Sequence, residues 1–195
     1  EKICMKCGRP ILVMGPDGVC SECKSTYRYF DCVASVFEFS GIIQGALYRL
    51  KFDGEMEIAQ AIGKFMADKL QKTGWEIDVI IPVPLHPDRL SERGFNQSYL
   101  LSQEIGRRCN IDVYGEVLIR QRYTESQVPL SRLQRMRNVK DAFSIKESRV
   151  IKDRNVLLVD DIMTTGATLN ECSSILKKHG ARKVYCLAAA CPVHY

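Results

Sequence analysis

No apolar run in the sequence approaches the roughly 20 residues that cross a bilayer, and its first ten residues, EKICMKCGRP, contain no apolar signal core. The expectation is a cytoplasmic protein with no membrane span. Histidine is scarce: His86, His179 and His194 are the only three, and their separations suit neither a metal site nor a nucleophile relay. His179, close to a predicted helix C-terminus, is accounted for by the helix dipole, so only His86 stays in view as a functional side chain. Aromatic residues make up 8% of the chain, and Tyr123 is the main one among its basic residues, which makes for a thin base-stacking surface. Internal repeats and low-complexity tracts are missing too, which excludes solenoids and disordered linkers.

What is present is a composition of 46% apolar and 26% charged residues over 195 positions, enough for one hydrophobic core plus a small appendage. Four of the nine cysteines, Cys4, Cys7, Cys20 and Cys23, follow C-x₂-C-x₁₂-C-x₂-C, a spacing suited to tetrahedral zinc held by four thiolates. Such a site is structural, because residues 1–30 are too few to fold on apolar burial alone and the metal substitutes for a core. Redox chemistry would instead need one exposed, unligated C-x-x-C pair. A domain boundary is expected between Tyr27 and Cys32, giving a zinc module at 1–30 and a larger domain at 31–195. Cys32, Cys109, Cys172, Cys186 and Cys191 are expected to be small core residues. Lys2, Lys6, Arg9, Lys24 and Arg28 decorate the module and leave nucleic-acid contact open.

The net charge of +5 is concentrated. Arg120 to Arg154 contains ten Lys or Arg against four acids, a local excess of +6 that leaves the rest of the chain near −1. This segment is expected to meet phosphates or nucleic acid, the alternative being a solvated face.

Apolar periodicity predicts a helix in GIIQGALYRLKF with Ile42, Ala46 and Leu50 on its inner stripe. A second helix is predicted from Glu57 to Gln71 with Ile58, Ile62, Phe65 and Met66 inward. DVIIPVP, NVLLVDD and KVYCLAAAC are apolar on both faces, as buried strands of a parallel sheet are. A helix from about Ala167 to His179, stopped by Gly180, joins the last two and completes a strand-helix-strand unit. The predicted fold class is α/β, a doubly wound, mainly parallel sheet.

The most informative stretch is VLLVDDIMTTGATL, residues 156–169, where a strand ends in Asp160 and Asp161 and the chain turns through Thr164, Thr165, Gly166, Ala167 and Thr168 into a helix. Ligands of open α/β sheets sit beyond the carboxyl ends of strands. A loop of small hydroxyl residues there offers N–H and Oγ donors to a phosphate, and Gly166 lets the backbone come close. Two adjacent carboxylates suit a ligand that also brings ribose hydroxyls, or a Mg²⁺. After the strand predicted in DVIIPVP, His86, Arg89, Arg93, Asn96 and Gln97 are polar groups suited to a pyrophosphate; alternatively the arginines pair with Asp88 and Glu92.

Residues 156–169 resemble the motif with which type I phosphoribosyltransferases bind phosphoribosyl pyrophosphate (PRPP). Together with LYRLKFDGE, IPVPLHPDRLSERGFNQS, RYTESQVPLSRLQRMRNVKDAF and the N-terminal cysteine pairs, they make nearly the whole chain similar to the ComF family of competence-associated proteins. The resemblance implies a type I phosphoribosyltransferase fold behind the zinc module. In it Asp160 and Asp161 hold the 2′ and 3′ hydroxyls and residues 164–168 cradle the 5′-phosphate. The segment from Arg120 to Arg137 matches the position of a hood that closes over PRPP. Arg120, Arg122, Arg132 and Arg135 are candidates for pyrophosphate or for single-stranded nucleic acid, and Thr124, Gln127 and Asn138 are polar parts of the same hood. The usual short loop with a basic residue directly after the strand is missing here, where Arg89 and Arg93 are the stand-ins.

The resemblance further implies a role in natural transformation, with Mg²⁺ as cofactor of PRPP, and single-stranded DNA and a competence helicase or other DNA-processing proteins as partners. Transfer of phosphoribosyl to an unknown acceptor and non-catalytic PRPP sensing or DNA binding both fit the residues. The oligomeric state, a homodimer included, is left open.

Overall fold

The computed structural model describes residues 3–4, 6–8, 17–122 and 139–192. Its strands are β1 (Cys32–Glu38), β2 (Val79–Pro82), β3 (Leu118–Arg120), β4 (Phe143–Ile145), β5 (Asn155–Ile162) and β6 (Lys183–Cys191). Four of them form a parallel sheet in the order β1-β6-β5-β2, and β3 and β4 form a separate antiparallel pair. The helices are α1 (Ser21–Ser25), α2 (Gly41–Tyr48), α3 (Glu57–Gln71), α4 (Pro87–Arg93), α5 (Gln97–Cys109) and α6 (Ala167–Lys178). A π-helical turn, Arg49–Asp53, extends α2.

The central strands are buried on both faces, so their runs of Val, Ile, Leu and Ala show no alternation. On one face α6 contributes Leu169, Cys172 and Leu176 to a core with Val156, Leu158 and Cys186. On the other, Ile62 and Met66 of α3 and Leu101 and Ile105 of α5 pack on Ile80, Leu157 and Leu187. This is the expected helix-sheet-helix arrangement, and it fixes the ligand crevice. The chain leaving β2 runs to α5 on one face and the chain leaving β5 runs to α6 on the other, so a switch point opens between the carboxyl ends of β2 and β5.

Several side chains depart from the sequence pattern. Ile42 is 90% exposed while Leu47 and Leu50 are fully buried. The inner stripe is Ile43, Leu47 and Leu50, still at helical spacing but one position on from Ile42 and Ala46. In α3 the inward row is Ala59, Ile62, Met66 and Leu70, and Phe65 turns outward to meet Phe37 edge to face at 5.4 Å. The apolar run at residues 33–38, for which the sequence pattern predicts no strand, forms most of β1. Cys172, Cys186 and Cys191 lie in the core as expected, whereas Cys32 and Cys109 are half-buried at its margins.

Candidate functional site

Asp160 and Asp161 end β5 at the switch point, and both side chains are buried. Asp160 Oδ1 accepts from the Asp161 N–H at 2.9 Å and from Ser98 Oγ at 3.1 Å. Burial, followed by the adjacent Asp161 charge, pushes the Asp160 carboxyl up to about 7. Burial acts on Asp161 in the same direction, but its ion pair with Lys51 outweighs it and holds that carboxyl below the ordinary range. The two acids are therefore unequal: one stays charged, while the other titrates near neutrality.

Beyond them the chain turns through Thr164, Thr165, Gly166, Ala167 and Thr168 into α6. Gly166 adopts φ +73°, a left-handed conformation that costs glycine nothing, and Thr165 Oγ1 accepts from the Ala167 N–H at 3.3 Å. Thr164, Thr165 and Thr168 are half-exposed at the helix N-terminus, where N–H groups and the dipole favour an anion.

The corner after β2 is joined to the acid pair through Ser98. His86 caps α4 by accepting from the Asp88 N–H at 3.3 Å, which gives Nδ1 a structural task and leaves Nε2 as the ring nitrogen with which it could meet an anion. Asn96 caps α5 through Ser98 N and donates to the Val83 carbonyl at 3.0 Å. Gln97 is buried and accepts from Arg93. Asn96 and Gln97, read from sequence as pyrophosphate groups, thus brace the corner, because a tight helix-to-helix turn leaves backbone donors that side chains must satisfy.

Arg93 lies over the Phe52 ring at 5.7 Å, and burial lowers its guanidinium pKa against the pull of Asp161. Arg89 approaches Glu92 at 4.0 Å. Both arginines line a cleft of about 360 Å³ with Lys51, Phe52, Asp53, Gly54, Glu92 and Phe95. Arg120 is packed on Phe143 at 5.3 Å, within electrostatic reach of Asp160, whereas Arg122 donates to the Lys140 carbonyl at 2.7 Å and so ties down the β3–β4 end. Thr124, Gln127, Arg132, Arg135 and Asn138 of the expected hood lie outside the described residues, as do Lys2, Arg9 and Tyr123.

At the N-terminus the ligand atoms of Cys4, Cys7, Cys20 and Cys23 lie within 4.8 Å of one another, with Cys7 and Cys20 sulfurs 3.8 Å apart. Metal–sulfur bonds of about 2.3 Å in a tetrahedron give sulfur–sulfur edges of about 3.8 Å, so the group fits a four-thiolate metal. The chain leaving it is pinned to α6. The Tyr29 N–H donates to Asn170 Oδ1 at 2.8 Å, and buried Arg28 brings Nη1 within 4.0 Å of where a Cβ on Gly166 would stand.

Lys51, Ser98 and Arg28 are the site residues that sequence patterns miss. Lys51 and Ser98 fall in segments whose family resemblance marks them only as a block, and Arg28 looked like one of several surface charges on a small module.

A switch-point crevice with paired acids and a hydroxyl loop defines a domain of the type I phosphoribosyltransferase class. A phosphoribosyl transferase domain model matches residues 52–193. Competence protein F of Haemophilus influenzae is 32% identical over 171 residues, covering 85% of this chain and 75% of that protein. DNA utilization protein YhgH of Shigella flexneri is 31% identical over 194 residues, covering 96% and 84%. Competence protein ComFC of Bacillus subtilis is 30% identical over 185 residues, covering 91% and 72%. With these relatives the chain belongs to the ComF family of proteins carrying a phosphoribosyl transferase domain. Among the described residues, no helix is long and apolar enough to cross a membrane.

Proposed function

We propose that the protein binds PRPP together with Mg²⁺ at the β2–β5 switch point. It then transfers the phosphoribosyl group to an acceptor during the handling of incoming single-stranded DNA in natural transformation. The observation that carries this reading is the pair of buried acids one short turn ahead of the loop 164–168. Asp160 and Asp161 accept from the ribose hydroxyls, and the N–H groups and threonine hydroxyls of the loop hold the 5′-phosphate. The acceptor attacks C1′ and the bond from C1′ to the pyrophosphate oxygen breaks. The electron pair leaves with the pyrophosphate, which also takes the acceptor's proton. Arg89 and Arg93 favour departure by offering charge where the leaving group collects it. Mg²⁺, when bound, neutralises pyrophosphate charge and strengthens it as a leaving group. The four-cysteine group holds structural zinc, which folds residues 1–30 as a module distinct from 31–195.

The test is calorimetry with PRPP and Mg²⁺ on the wild type and on the double variant Asp160→Ala, Asp161→Ala. Binding by the wild type and at least a hundredfold loss in the variant is expected; equal binding by both, or none by either, defeats the assignment. A second reading, PRPP as a bound signal on a DNA-binding protein, is favoured by the relatives' names, competence and DNA utilization, which point to DNA and not to a transfer reaction. Pyrophosphate release across a panel of nucleobases, nucleosides and single-stranded DNA separates the two, since a sensor releases none.

A further inference from the structure

We infer that Lys51 is the resident counter-ion of the acid pair, occupying Asp161 until a phosphorylated ligand draws its ammonium into the adjoining cleft and frees the carboxylate for a divalent cation. The second half of that statement rests on the proposed PRPP reading; the first half does not.

Three observations carry it. Lys51 Nζ pairs with Asp161 although the two side chains are only 17% and 6% exposed, so the contact is a desolvated one in which each charge depends on the other. Lys51 sits in the π-helical turn Arg49–Asp53, closed by Gly54 at φ 71°, and π turns are uncommon devices that re-aim side chains at functional sites. Lys51 also forms part of the wall of the 360 Å³ cleft, together with Arg89 and Arg93. The lysine therefore stands between a buried carboxylate and a basic cleft of the size of small-ligand pockets.

Its chemistry suits such a position. A lysine is a point charge on a flexible stem, so a small pivot moves it from one anion to another, which a planar guanidinium locked by two bonds does less readily. A divalent cation arriving alone must compete with the ammonium for Asp161. When a diphosphate enters the cleft, it stabilises the displaced ammonium and removes that competition. Cation and phosphate binding thus become cooperative, and neither half-loaded state is favoured.

The experiment measures Mn²⁺ binding by electron paramagnetic resonance, with and without inorganic pyrophosphate or PRPP, for the wild type, Lys51→Met and Lys51→Arg. With Mn²⁺ alone, Lys51→Met is expected to bind at least tenfold more tightly than the wild type. Pyrophosphate or PRPP is expected to raise Mn²⁺ affinity about tenfold in the wild type and not in Lys51→Met, while Lys51→Arg keeps the weak basal affinity. Unchanged or weaker Mn²⁺ binding by Lys51→Met overturns the inference. Should the variant be poorly stable, Mn²⁺ must raise its melting temperature more than the wild type's; an equal rise has the same overturning force. Tighter Mn²⁺ binding by Lys51→Met alongside a wild type that ignores PRPP removes the PRPP reading and leaves Lys51 as the counter-ion.

Discussion

Asp160 carries a stability cost that follows from its surroundings. Its carboxyl moves from an ordinary value of 3.8 to about 7 on folding, so between those pH values the folded state holds a proton that the unfolded chain has lost. Its favourable protonation is in full force below about pH 4 and is gone once the pH passes about 7, and unliganded stability should fall through that window. Asp161, shifted the other way, acts only at lower pH, where its charge is lost. Asp160→Asn keeps an oxygen for Ser98 and for the Asp161 N–H, and removes the buried charge. It should raise stability at pH 8 by on the order of 3 kcal/mol and flatten the pH dependence, read from melting temperatures at pH 5 and pH 8. An equally steep decline in the variant would point to another group.

At the scale of the element, the corner between α4 and α5 shows where sequence reasoning works and where it stops. ERGFNQS is recognisable as a block, but the helix that follows it is seen only in the structure, and the tasks of its polar residues are set by partners far along the chain. Ser98 meets Asp160, 62 positions away, and Asn96 turns back to Val83. Donor-rich side chains next to a phosphate motif invite a ligand role, yet two of them go to capping and bracing, since helix starts must satisfy their own N–H groups first. Local signals such as the C-x-x-C pairs and the strand-acid-loop-helix run survive folding because their meaning lies within a few residues. The pairing of Lys51 with Asp161 has no local signal. Asn96→Ala removes a cap and a tie to the β2 exit, so it should cost about 1–2 kcal/mol in urea unfolding and weaken PRPP by several-fold through Ser98 and Asp160. A loss of stability with PRPP affinity intact would mean that the corner does not position the acids.

Across the whole molecule the cysteine group and the acid crevice look like separate devices, and no local pattern hints that the chain between them links the two. Gly8, at φ +67°, leaves room for only a hydrogen where a Cβ would come within 2.5 Å of the Val33 carbonyl, and the Val33 N–H donates to the Lys6 carbonyl at 3.1 Å. The cysteine hook is thus seated on β1. From there Asp31 accepts from the Val184 N–H at 2.8 Å and pairs with Lys177 of α6, and Tyr29 reaches Asn170.

That short connection from Tyr27 to Asp31 makes one end of the molecule a lever on the other. If metal loading sets the position of Arg28 and Tyr29 against the first turn of α6, ligand affinity at that turn depends on the metal, and thermodynamic reciprocity demands the same factor in return. Ribose 5-phosphate at saturating concentration should then tighten zinc binding in a chelator competition titration by the factor, several-fold, by which zinc tightens ribose 5-phosphate. No effect in either direction would make the connection a passive tether.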